Sequence, residues 1–123
     1  MSDSPKGITL VYACSGVANT GLLADQIARR FHADGGGVVK MTCLAAMGAE
    51  TAKFVSEAKA ADRRIVIDGC PISCGASIFT RVGIPFEHYR TTDFGVEKGK
   101  TAITPELIDK THATIKEAIG RGR

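Results

Sequence analysis

Short apolar runs rich in β-branched residues recur along the chain, each followed by small, polar or glycine-rich sequence. Ile8-Thr9-Leu10-Val11-Tyr12 is the first, Val38-Val39-Lys40-Met41-Thr42 the second and Arg64-Ile65-Val66-Ile67 the third. A shorter and more polar stretch, Glu87 to Thr91, is the fourth. Runs of this length between turn residues predict β-strands, over residues 7–14, 38–42, 63–68 and 87–91. The first is apolar enough for burial on both faces.

Between these runs the period changes. Leu23, Ile27 and Phe31 recur at i, i+4 and i+8. They predict a helix that follows the Ser15–Gly21 turn, reaches about Phe31 or His32, and is ended by Asp34-Gly35-Gly36-Gly37. Glu50 to Ala61 is helical by propensity, with Phe54, Val55 and Ala58 inward and Lys53, Glu57 and Lys59 outward. Residues 44–48 carry no clear signal. A short helix is expected from near Ser73 to Gly83, and residues 93–100 read as a polar loop. Thr104-Pro105-Glu106 is a strong helix start: a hydroxyl at the N-cap, proline in the first helical position and an acid in the first turn. That helix is expected to run to about Ile119, with Leu107, Ile108, Ile115 and Ile119 toward the core, and to stop at Gly120.

Four strands alternating with helices predict a small open parallel sheet with helices on both faces, an α/β fold of Rossmann-like or flavodoxin-like type. Right-handed crossovers bring the C-terminal ends of all strands to one edge, where such sheets bind ligands. A strand order such as 2-1-3-4 would make the first three strands neighbours.

The 123 residues suit one domain, assigned to residues 7–119, with a disordered tail at 1–6 and a basic tail at 120–123. Hydrophobic content of 44% and charged content of 24%, with no apolar run of membrane-spanning length, indicate a soluble protein without membrane insertion. The net charge of +3 is scattered, aromatics are 6% and tryptophan is absent, which argues against nucleic-acid binding. Met1-Ser2-Asp3-Ser4-Pro5-Lys6 has none of the features of a secretory signal, so the thiols are expected in a reducing cytoplasm.

Compartment changes the reading of the four cysteines. Cys14 follows the first strand, Cys43 the second and Cys70 the third, and Cys74 opens the next helix. All four are therefore expected at the same sheet edge. Adjacent strands lie about 4.8 Å apart, and four sulfurs around zinc lie roughly 3.8 Å from one another, so small loop adjustments would bring them together. Four thiolates suit Zn²⁺, ahead of an iron–sulfur cluster or Cu(I). The alternative is that some are small buried hydrophobes. Asp68, Ser15 and Gly16 are expected behind the ligands, Asp68 as an acceptor for the cysteine loop or as simple turn chemistry.

Two other chemistries stay open. Cys74 at a helix N-terminus is favoured as a thiolate, and Cys70 lies four residues away as a resolving partner, which is the logic of a thiol–disulfide centre. The Cys14-Ser15-Gly16-Val17-Ala18-Asn19-Thr20-Gly21 turn is partly similar to the anion-cradling loops of low-molecular-weight tyrosine phosphatases and phosphotransferase-system IIB domains. Thr20 stands where the phosphatase arginine would be required. His32, His88 and His112 are expected away from the metal, as surface or packing residues. Asp93 and Lys98 could border the site or belong to a solvated loop.

Cys14-Ser15-Gly16, Cys43, Asp68-Gly69-Cys70 with Cys74, and the Gly95–Lys98 stretch together resemble the DGC family, small bacterial and archaeal domains named for an Asp-Gly-Cys motif. The resemblance spans most of residues 8–100. It implies zinc held by Cys14, Cys43, Cys70 and Cys74 and a cytoplasmic prokaryotic setting. It implies no reaction, protein partner or oligomeric state.

Overall fold

The computed structural model describes residues 7–121, so the expected tail at residues 1–6 and the last two residues of the basic tail lie outside it. Four strands form one parallel sheet: β1 (Thr9–Ala13), β2 (Val39–Met41), β3 (Arg63–Asp68) and β4 (Glu87–Arg90). Their spatial order is β2-β1-β3-β4. Register pairs Val11 with Met41 and Ile65, and Val66 with His88. β1 is central and buried throughout, as its unbroken apolar run requires.

Helices cover both faces. α1 (Asn19–Asp34) and α5 (Pro105–Arg121) pack on one, where Leu23, Ile27, Ile108 and Ile115 meet Val11, Ile65 and Ile67. α2 (Leu44–Gly48), α3 (Ala52–Ala60) and α4 (Cys74–Val82) pack on the other, where Met47, Ala58 and Phe79 meet Leu10, Tyr12 and Val66. Alternate residues of β1 and β3 thus feed two separate cores, the period-2 arrangement of a sheet buried on both sides. The stretch without a clear signal, residues 44–48, is the one-turn helix α2.

The remaining differences are local. β4 ends at Arg90, and Thr91–Phe94 forms a 3-10 turn. Thr104 caps α5 as expected, its Oγ1 accepting the Leu107 N–H at 3.1 Å. Gly120 does not stop that helix, which continues to Arg121, so the first half of the expected basic tail is helical. A glycine costs a helix only about 1 kcal/mol, and tertiary contacts outweigh it here. Ile119 packs on the core, its carbonyl accepts from Arg63 Nη2 at 3.0 Å, and Arg121 pairs with Glu117.

Candidate metal centre

Sheet order decides where chemistry can collect. β1 and β3 are neighbours whose following helices, α1 and α4, lie on opposite faces. The crevice between their C-terminal ends is therefore the switch point of a doubly wound sheet. Cys14 lies just beyond β1 and Cys70 just beyond β3, one on each side of it, and Cys74 is the first residue of α4. Cys43 follows β2 on the other side of β1, immediately before α2. Cys14 and Cys70 are half-buried, whereas Cys43 and Cys74 are exposed.

Three glycines allow the loops to approach. A Cβ on Gly69 would lie 2.6 Å from the backbone nitrogen of Gly21 and 2.7 Å from the carbonyl carbon of Thr20. One on Gly21 would lie 2.7 Å from the nitrogen of Gly16. The Asp-Gly-Cys loop, the start of α1 and the Cys14 turn are thus stacked backbone on backbone, at distances no side chain permits. Gly75 has the same constraint on the other side, where a Cβ would meet Val66 at 2.6 Å and the Asp68 carboxylate at 2.9 Å. Thr91 closes the stack from beneath, its buried hydroxyl donating to the Gly69 carbonyl at 2.8 Å.

Asp68 resolves in favour of the loop-holding role. Its side chain is buried, with Oδ1 accepting the Gly75 N–H at 2.8 Å and Oδ2 the Ala76 N–H at 3.1 Å. It therefore caps α4 from the end of β3. Ser73, in the N-cap position, has left-handed backbone with φ 56° and makes no side-chain cap. Oδ2 also lies 2.7 Å from His88 Nε2. A buried carboxylate needs such partners, and each is a charge-assisted hydrogen bond.

His88 is accordingly a hydrogen-bond partner of Asp68 and not merely a surface or packing residue, a role invisible in sequence because it depends on β3 and β4 being adjacent. His32 accepts the Met41 N–H at 3.0 Å through Nδ1 and covers the outer edge of β2. His112 packs edge-on against Phe31.

Ser15 is tied to α1 through its side chain, and the backbone of Gly16 lies against Gly21. The Ser15 hydroxyl donates to Asp25 Oδ1 at 2.8 Å, and Arg29 donates to the other oxygen of that carboxylate at 2.7 Å. These residues wall an open cleft of about 540 Å³ that Cys14 and Cys43 also line.

Electrostatically, burial pushes the Cys14 thiol up from its ordinary pKa. The Gly69 N–H partly offsets this, and negative charge at Asp68, Cys74 and Cys70 pushes it up again. Four thiols from three neighbouring loops are a donor set suited to a thiophilic cation such as Zn²⁺. The expectation that all four meet is not realised as a cluster: among the described residues no group of three or more histidine, cysteine or acidic side chains is assembled for metal binding. The physical reason is that each loop is placed by its own backbone packing, whereas a spacing near 3.8 Å is one that a shared cation sets.

The DGC domain profile matches residues 10–115, which contain all four cysteines. The chain is 32% identical over 97 residues, 78% of this chain and 71% of the relative, to the anaerobic and virulence modulator AnvM of Pseudomonas aeruginosa. No solved structure matches the chain. With the Asp-Gly-Cys loop, the Cys14 turn and the sheet that joins them all inside the matched segment, the chain belongs to the DGC domain family.

Proposed function

We propose that the protein binds one Zn²⁺ through Cys14, Cys43, Cys70 and Cys74 at the C-terminal edge of its sheet, and that its role is metal binding or metal-dependent sensing. The carrying observation is the strand order β2-β1-β3, which puts the three cysteine-bearing loops side by side at one edge. Two hydrophobic cores already support the fold, so the ion is not needed to hold it together. That favours a binding or sensing role over a purely structural one. The name of the relative, a modulator linked to anaerobic conditions, is in keeping with sensing.

A thiol–disulfide centre is the second reading, favoured by Cys74 being exposed at the start of α4 with Cys70 just before it. Elemental analysis with a free-thiol count, on protein purified anaerobically without chelator, separates the two. About one zinc per chain, with thiols protected until the metal is removed, is the expected result. In Cys74→Ser the metal is lost without loss of any disulfide-exchange activity. Metal-free wild-type protein with reactive thiols and exchange activity that depends on Cys74 would establish the redox reading instead. A phosphate-handling Cys14 loop ranks third, and protection of Cys14 from alkylation by phosphate or arsenate is its signature.

A further inference from the structure

The loop after β4 is built with more care than a solvated connection needs, and the pieces that build it converge on one lysine. Asn19, the first residue of α1, uses its whole amide on this loop. Its Nδ2 donates to the carbonyls of Glu97 at 3.0 Å and Thr101 at 2.8 Å, while Oδ1 accepts the Gly99 N–H at 2.7 Å. No other side chain of that length offers two donors and an acceptor in one plane. The Thr101 hydroxyl accepts the Glu97 N–H at 2.8 Å, and Val96 is buried in the core beneath. Gly95 and Gly99 supply the left-handed backbone, φ 81° and 80°, on either side.

At the tip of this loop stands Lys98, whose ammonium lies 3.9 Å from Cys70 Sγ, an N–H···S contact. Lys98 makes no ion pair with a carboxylate among the described residues, whereas the neighbouring Lys100 is paired with Glu97. Arg29, the cation on the cleft that Cys14 and Cys43 line, is already paired with Asp25. The Asn19 clamp therefore delivers an uncompensated positive charge to a cysteine sulfur. It does so from the start of α1, five residues after Cys14, so one side chain ties the Cys14 turn to the loop that reaches Cys70.

We infer that Lys98, held in place by Asn19, is a positioning residue of the cysteine centre that donates to Cys70 and retains the metal by offsetting thiolate charge. The inference rests on the zinc reading above. Four thiolates around a divalent cation leave a net charge of about −2, and a cation beside one sulfur lowers the cost of holding that charge. A cation beside a ligand sulfur also disfavours its protonation, which competes with metal binding. Partners of this kind are typically worth about 10- to 100-fold in metal affinity.

The test compares wild type with Lys98→Met, Lys98→Arg and Asn19→Ala. Lys98 is exposed, so its replacement should leave the thermal unfolding midpoint of metal-free protein in place. In zinc-loaded protein, transfer of zinc to a chromophoric chelator is expected to be about tenfold faster in Lys98→Met, and close to wild type in Lys98→Arg. In metal-free protein, peptide mapping reads alkylation of Cys70 by iodoacetate, which is anionic, against iodoacetamide, which is neutral. That ratio is expected to fall about fivefold in Lys98→Met, the Boltzmann weight of one unit charge at this distance in water. It should fall in Asn19→Ala also, and the difference should shrink at high salt. Unchanged zinc release together with an unchanged Cys70 ratio in Lys98→Met overturns this inference alone. Wild-type protein that takes up no zinc overturns the metal reading and the retention effect with it, while the alkylation ratio still reads the Lys98–Cys70 contact.

Discussion

Asp68 accepts a 2.8 Å hydrogen bond from the backbone N–H of Gly75, seven residues further along the chain. The contact closes the Asp-Gly-Cys loop on itself, since the acid ends β3 and the glycine is in the first turn of α4. The two cysteines of the loop lie between them. Asp68→Asn keeps the shape but sets an amide N–H₂ against one of the donors now facing the carboxylate. A loss of about 2 kcal/mol is expected, the range for a hydrogen bond to a charged group. Urea unfolding measures it, and an unchanged midpoint would show that α4 does not depend on this cap.

The two glycines flanking the crevice should behave differently. Gly69→Ala forces a methyl against the Thr20–Gly21 backbone, which cannot move without shifting α1. The expected cost is about 2–3 kcal/mol. Gly16→Ala meets nothing within 4 Å of the new carbon among the described residues, and should stay within about 0.5 kcal/mol of wild type. Chemical denaturation of both variants side by side checks the contrast; equal costs would refute the stacked-backbone account.

Tyr12 is buried edge-on against Phe79 at 4.7 Å between ring centres, with no hydrogen-bond partner for its hydroxyl among the described residues. Burial, reinforced by Glu57, pushes its ionisation up, and Arg64 only partly opposes this. Tyr12→Phe removes an unsatisfied polar atom while keeping the ring. Stability should be unchanged or rise by up to about 1 kcal/mol. A substantial loss on denaturant titration would mean that the hydroxyl is bonded in solution.

His112 supplies a pH dependence of definite sign. Burial lowers its pKa below the ordinary value, with Asp34 and Asp109 opposing and Lys116 and Arg30 assisting. The unfolded chain therefore binds a proton at a higher pH than the folded protein does. Its contribution is fully present above about pH 6.5 and is lost as pH falls from there through the folded pKa. Unfolding free energies at pH 8 and pH 5 should differ less in His112→Gln than in wild type. An identical difference in the two proteins would remove His112 as the cause.

The elements were legible where the signal is local. β3 lies at residues 63–68, as its apolar run predicted, and α4 opens at Cys74 and stops at Gly83, which is left-handed at φ 80°. Period, turn residues and caps act over a few neighbours, so they can be read without knowing the fold. The end of α5 could not be read in this way. Gly120 is a local stop signal, but the bond from Arg63 to Ile119 comes from 56 residues away.

The placement of all four cysteines at strand ends or a helix start is determined by the sequence itself, because each follows an apolar run or a turn. Tertiary structure decided which of those ends are neighbours, how Asp68 came to hold α4 and His88, and how Asn19 came to hold a loop 78 to 82 residues away. Strand order and close backbone approach depend on which faces bury each other, and that is settled only when the separate segments pack together.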